Sequence, residues 1–343
     1  MKEKTGIIVQ WIVAIVVSFF FINIVAFPLY HSIGWINVAG APTTSISEPN
    51  QIIVCSGEGY GINRMDANGY ANPSTQLSKD GYVLAMGSSI TKASQVMGGK
   101  NYVSILNRVL GGNENSLKVY NIGQDGATFS SMSKCFEAAV NEYVDAEAIT
   151  MEFCILGVTE QDLENGFLSN GWNPKAIEHI NLEKRQQLKF AIKRYFPLVS
   201  FVMESRLPKI DFTLDGAFGI NNSYNVLDEQ DNSTLADYET YFRNTLSFMR
   251  EQYSQRIILV YIPAVELDNE GMYAVPKPEI ELLLKIAPEY NIEVLDASEI
   301  FLEAYQKDYT FPLGYWNTHY GAGHMNKSGH QLIAEKLYEM LGE

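Results

Sequence analysis

From Gly81 to the end of the chain, short apolar runs alternate with segments of helical period, and no other feature of the sequence restricts the fold as much. Residues 82–86, 117–122, 148–156, 256–262 and 292–295 are short and mostly apolar, as strands covered on both faces are. Between them, 102–110, 130–143, 237–253 and 278–290 space their apolar residues by three and four, and 328–341 closes the chain in the same way. Parallel neighbours need long crossovers, and helices supply them here. The expectation is an α/β fold with a mainly parallel five-stranded sheet and helices on both faces. Ligands of such sheets bind beyond the carboxyl ends of the strands. The stretch 166–234 interrupts the alternation and reads as an insertion beside the active rim, either a lid or substrate platform or an extra helical hairpin, with one amphipathic helix at 182–199.

The N-terminus has a different character. Lys2 and Lys4 precede an uncharged run from Ile7 to Leu29, and the next charged residue is Glu48. As a helix the run spans about 34 Å, enough for a hydrocarbon core of roughly 30 Å. A secretory signal has a shorter apolar region with a small-residue cleavage site close behind it, whereas Ala39-Gly40-Ala41 lies well past this run. Residues 1–30 therefore read as an uncleaved transmembrane anchor. Lysines on one flank only place the N-terminus in the cytoplasm and the rest of a single-pass membrane protein outside. Residues 31–80, rich in Gly, Asn, Pro, Ser and Thr, read as a linker and irregular lead-in to the main domain at 81–343.

At 343 residues and 46% hydrophobic, the chain can bury a substantial core. Its formal charge of −15 repels nucleic acid, and no basic stripe offsets it. Cys55, Cys135 and Cys154 fit neither a disulfide framework nor a zinc-ligand spacing. No cofactor or metal is expected.

Two local patterns carry chemistry. In Gly87-Ser88-Ser89-Ile90-Thr91, an apolar strand ends in a small-residue turn that puts a serine at the carboxyl edge of the sheet. Near the other end, His319, His324 and His330, three of the five histidines, fall within twelve residues ahead of the last helix. A neutral imidazole is the usual base for a serine hydroxyl. His319 and His330 read as structural. A zinc site built on His319, His324 and a carboxylate is the rival use of the cluster.

Together these blocks resemble the SGNH (GDSL-like) hydrolase superfamily. The resemblance implies a flavodoxin-like three-layer α/β/α fold, Ser89 as nucleophile and His324 as base. Asn121-Ile122-Gly123-Gln124-Asp125-Gly126 is similar to the second block of the family, which makes Gly126 an oxyanion donor beside the Ser89 N–H. Three departures stand out. Ser88 replaces the usual Asp of the first block. Gly157-Val158-Thr159-Glu160 stands where a Gly-x-Asn-Asp block supplies a third donor, leaving Thr159 as the substitute. Gly321 occupies the position of the Asp that orients the histidine, so a backbone carbonyl, Asn317 or Asp296 is left to hold the imidazole, and the claim is limited to a Ser-His dyad. The implied activity is a serine esterase or O-acyltransferase acting on an ester, with acylated, O-acetyl-bearing surface polysaccharide as the expected substrate class. The alternative is an inactive SGNH-like module that binds or helps assemble surface polysaccharide.

Overall fold

The computed structural model describes residues 2–26, 35–37, 45–47, 49–55, 58–166, 192, 196, 234–269 and 271–342. The expected insertion, with its helix at 182–199, falls almost wholly outside them. Helix α1 (Lys2–Ala26) contains a 21-residue stretch, Thr5–Val25, long and apolar enough to cross a membrane. Two short hairpins follow, β1/β2 (Trp35–Asn37, Ser45–Ser47) and β3/β4 (Ile52–Cys55, Gly61–Arg64). The second lies inside the stretch read as an irregular lead-in. Its residues pair Ile52 with Arg64 and Cys55 with Gly61, and Ile53 is fully buried.

The remaining elements alternate as expected: β5 (Tyr82–Met86), α2 (Ser89–Lys92), α3 (Tyr102–Val109), β6 (Val119–Asn121), α4 (Phe129–Lys134), α5 (Phe136–Glu142), β7 (Ala146–Phe153) and α6 (Glu160–Asn165). After the insertion come α7 (Leu235–Gln252), β8 (Arg256–Tyr261), a small hairpin β9/β10 (Val265–Leu267, Met272–Ala274), α8 (Pro278–Ile286), β11 (Glu293–Asp296), α9 (Ala297–Asp308) and α10 (Lys327–Gly342). The central sheet runs β11-β8-β7-β5-β6 and every pairing in it is parallel. Numbered by chain position the order is 2-1-3-4-5, the flavodoxin-like arrangement.

Burial explains why the strands lack alternation. On one face Tyr82, Leu84 and Met86 join a core with Phe129, Phe136, Phe242, Leu246 and Leu283 from α4, α5, α7 and α8. On the other, Val83 and Ala85 pack with Tyr102, Leu106, Phe301, Ile333 and Leu337 from α3, α9 and α10. Both faces of β5 are thus inside, and the apolar run is continuous. The chain leaves β5 for the edge strand β6 and then returns to β7 on the other side, so the direction in which the sheet grows reverses at β5. A crevice opens at the carboxyl end of the strand where this reversal happens, and Ser89 stands there.

Candidate active site

The turn after β5 is held by a carboxylate from the neighbouring strand. Glu152, on β7, is wholly buried. Its Oε2 accepts hydrogen bonds from the backbone N–H groups of Ser88 (2.9 Å) and Thr91 (3.2 Å) and from the Thr91 hydroxyl (2.8 Å), while the Ser88 hydroxyl lies 2.9 Å from Oε1. Burial raises the Glu152 pKa and outweighs these hydrogen bonds, which lower it. The carboxylate that Ser88 does not carry is thus brought to the turn from another strand. Ser88 also caps α2, accepting from the Ile90 N–H at 3.2 Å. Gly87 is needed for room: a Cβ there would sit 1.8 Å from Thr91 Oγ1 and 2.7 Å from Glu152 Oε2.

Ser89 opens α2 and is half-buried. Its Oγ lies 2.8 Å from Nε2 of His324, which reaches it from the loop before α10. Residues 235 positions apart in sequence therefore share one hydrogen bond. The other side of the imidazole meets Glu58, whose Oε2 is 2.5 Å from Nδ1 and whose Oε1 accepts the His324 backbone N–H at 2.6 Å. With Nδ1–H donated to Glu58, Nε2 is left as the acceptor for the serine hydroxyl. Burial alone raises the Glu58 pKa, but the hydrogen bonds and charge of His324 outweigh it, and the carboxyl sits below its ordinary value.

Glu58 corrects the expectation for the orienting group. It lies just beyond β3 in the lead-in, ahead of Ser89 in sequence, and among the described residues it is Glu58 that meets Nδ1, in place of the Asp296, Asn317 or backbone carbonyl expected there. Asp296 caps α9, accepting from Ser298 N–H at 2.9 Å. Asn317 acts one step removed: its Oδ1 accepts the Gly59 N–H (2.8 Å) and its Nδ2 donates to the Gly59 carbonyl (3.2 Å), clasping the residue next to Glu58. Gly321, where the resemblance would put an acid, has φ of 85°, a conformation an aspartate reaches only with strain. Gly323 makes space for the new acid, since a Cβ there would meet Glu58 Oε1 at 2.3 Å.

The expected oxyanion donors are arranged unevenly. Ser89, as the first residue of α2, has no intrahelical partner for its N–H. Gly126 lies in the exposed turn after β6 with φ of 76°, and its N–H makes no hydrogen bond among the described residues. That turn is tied to α2 by a salt bridge of 2.7 Å between Lys92, whose side chain is 4% exposed, and Asp125. Thr159 is exposed and engaged elsewhere. It caps α6, its hydroxyl accepting from Asp162 N–H (3.2 Å) and its own N–H donating to the Asp162 carboxylate (3.0 Å).

The other singled-out residues separate clearly. His330 is buried, stacks on Tyr102 with ring centroids 6.1 Å apart, and accepts the Tyr102 N–H through Nδ1 at 3.3 Å. Burial, helped by the charge of His324, pushes its pKa down to about 3. His319 is exposed. Trp316 is 76% exposed in the loop leading to His324, and Tyr320 in the same loop is 54% exposed. None of Cys55, Cys135 and Cys154 is in a disulfide.

No family model and no curated protein matches the sequence. Among solved structures, the chain is similar to a lipolytic protein of the G-D-S-L family from Veillonella parvula, with 16% identity, 76% of this chain and 98% of the other covered, and a TM-score of 0.39. It is similar to LAE5, an alpha/beta hydrolase enzyme from the metagenome of Lake Arreo, at 14% identity, 78% and 97% coverage and a TM-score of 0.41. A catalytic mutant of Axe2, an acetylxylan esterase from Geobacillus stearothermophilus, aligns at 14% identity over 78% and 97%, with a TM-score of 0.39. The roles of residues in this chain rest on its own geometry.

Proposed function

We propose that this chain is a serine esterase of SGNH type that works by acyl transfer, with Ser89 as nucleophile, His324 as general base and Glu58 as the acid that holds the base. The observation that carries the reading is the continuous line Glu58–His324–Ser89, with contacts of 2.5 and 2.8 Å, at the crevice of a parallel sheet. A buried serine and histidine that merely fill space have no need of a carboxylate on the far side of the ring.

In this mechanism Ser89 Oγ attacks the ester carbonyl while Nε2 of His324 takes its proton. Glu58 stabilises the imidazolium that forms. The N–H groups of Ser89 and Gly126 receive the oxyanion. When the carbonyl reforms, the alcohol departs with the proton held by His324, and the acyl group stays on Ser89. Water, or a hydroxyl of a second substrate, then attacks the acyl-enzyme with the same base assisting. Thr159, committed to its cap, has no part in the oxyanion site.

The substrate we assign is an O-acyl ester, foremost an O-acetyl ester, on a glycan outside the cytoplasm. Two observations support it: Lys2 and Lys4 lie ahead of the apolar stretch of α1 and no charge follows until Glu48, and two exposed aromatic rings, Trp316 and Tyr320, lie in the loop before the base. Labelling with a fluorophosphonate and hydrolysis of aryl acetates test the reading. Both are expected in the wild type, to be abolished by Ser89→Ala and strongly reduced by His324→Ala. Glycan binding with neither labelling nor turnover would instead establish a binding module. Acetylated sugar among the products, when sugar is added as acceptor, would establish transfer over hydrolysis.

A further inference from the structure

Next to Ser89, a cavity of about 370 Å3 opens beyond the ends of β7 and β8. Its wall includes Ile90, Cys154, Ile262, Val265, Leu313 and Gly323, so it touches the residue after the serine and the residue before the histidine. The mechanism above makes no use of it. Most of the lining is aliphatic, and the Cys154 thiol is neutral, burial having pushed its pKa up to about 12. One group is out of keeping. Lys277, half-buried at the position before α8, lines the same wall, and its ammonium makes no salt bridge or hydrogen bond among the described residues. The other charged group of the lining, Glu266, is exposed and accepts the Tyr273 hydroxyl at 2.6 Å. An ammonium partly withdrawn from water beside aliphatic side chains, with no carboxylate against it, is stabilised by an anion that enters the cavity.

We propose that this cavity receives the part of the ester that bears a negative charge, a carboxylate or a phosphate on a short hydrocarbon segment, and that Lys277 is the group that selects it. The assignment rests on the Ser89 reading and narrows it. An anion at Lys277 keeps the hydrocarbon segment along Ile262, Val265 and Leu313, with the ester carbonyl at the cavity mouth beside Ser89. A neutral chain of the same length fills the same space without the ionic contact.

The test uses the full chain in detergent and a set of esters of equal chain length. The chain ends in a methyl, a carboxylate or a phosphate, placed either on the acyl or on the alcohol side. At least one anionic ester is expected to exceed its neutral counterpart in kcat/KM by about tenfold, the worth of one charge-assisted hydrogen bond. Lys277→Met is expected to bring that ratio to about one and Lys277→Arg to keep it. Which anion, and which side of the ester, then follows from the member that responds. Equal rates for neutral and anionic esters, or a preference that survives Lys277→Met, overturn the assignment and leave the Ser89 reading intact. No hydrolysis of any ester, or hydrolysis undiminished in Ser89→Ala, overturns that reading and this assignment together.

Discussion

Glu58 is the acid least visible from the sequence and the one with most to do. It lies 266 positions from His324, and no spacing rule links an acid in a glycine-rich lead-in to a histidine near the end of the chain. A signal existed nonetheless: after Glu48 it is the only charged residue before Arg64, and it sits between Gly57 and Gly59. Ser89, Gly126 and His324 were legible because each sits in a local block, whereas the acid is defined only by where the hairpin folds back. Glu58→Gln keeps an oxygen for the His324 backbone N–H but can turn its amide N–H2 toward Nδ1. The proton then moves to Nε2, where it blocks acceptance from Ser89. The expected result is a loss in kcat of about 10^3- to 10^4-fold with little change in KM, read from steady-state kinetics of the wild type and variant. Unchanged kcat would remove Glu58 from the proposed line.

At the scale of elements, the five sheet strands and most helices were readable because burial on both faces leaves a continuous apolar signal. The misses have local causes. The helical period at 130–143 conceals a break at Cys135, which ends α4 and begins α5 with φ of −98° and ψ of 0°. Helix α9 went unread although Asp296 followed by Glu299 is a helix-start signal, because it begins directly on the last strand. Glu152 was hidden inside the apolar run of β7, where a lone acid looks like an interruption. Its hydrogen bonds join β7 to the turn between β5 and α2, so its removal acts on an element junction. Glu152→Ala leaves two backbone N–H groups and two hydroxyls without their buried acceptor and is expected to destabilise by about 3 kcal/mol or more. Glu152→Gln retains one acceptor oxygen and a group able to donate to the Ser88 hydroxyl, and is expected to be much milder. Denaturant melts of both variants, with fluorophosphonate labelling of Ser89, check the pair. Equal loss in the two would show that charge matters there rather than acceptance.

For the molecule as a whole, the buried histidine and the hydrogen-bonded acid make stability depend on pH. His330 has its folded pKa depressed to about 3 from an ordinary 6.5. The unfolded chain therefore binds a proton there while the native chain does not, and stability falls as pH drops from about 6.5 toward 3. Glu58, also lowered, contributes stability above its ordinary 4.5 that is lost as pH falls through its folded value. The two effects share a sign. Thermal melts from pH 7 to pH 4 are expected to show a steady decline, and His330→Gln, which keeps an acceptor but cannot titrate, is expected to flatten its upper part. A decline of the same slope in that variant would assign it to other groups.

Because the acid precedes the sheet and the base precedes only the final helix, the reactive line closes around almost the entire polypeptide. In the proposed mechanism, a chain released by a ribosome that stalls before residue 324 carries the Ser89 hydroxyl and the Glu58 carboxylate but lacks the imidazole that takes the proton. On that reading incomplete products of synthesis turn over no ester, and activity arrives only with the last twenty residues.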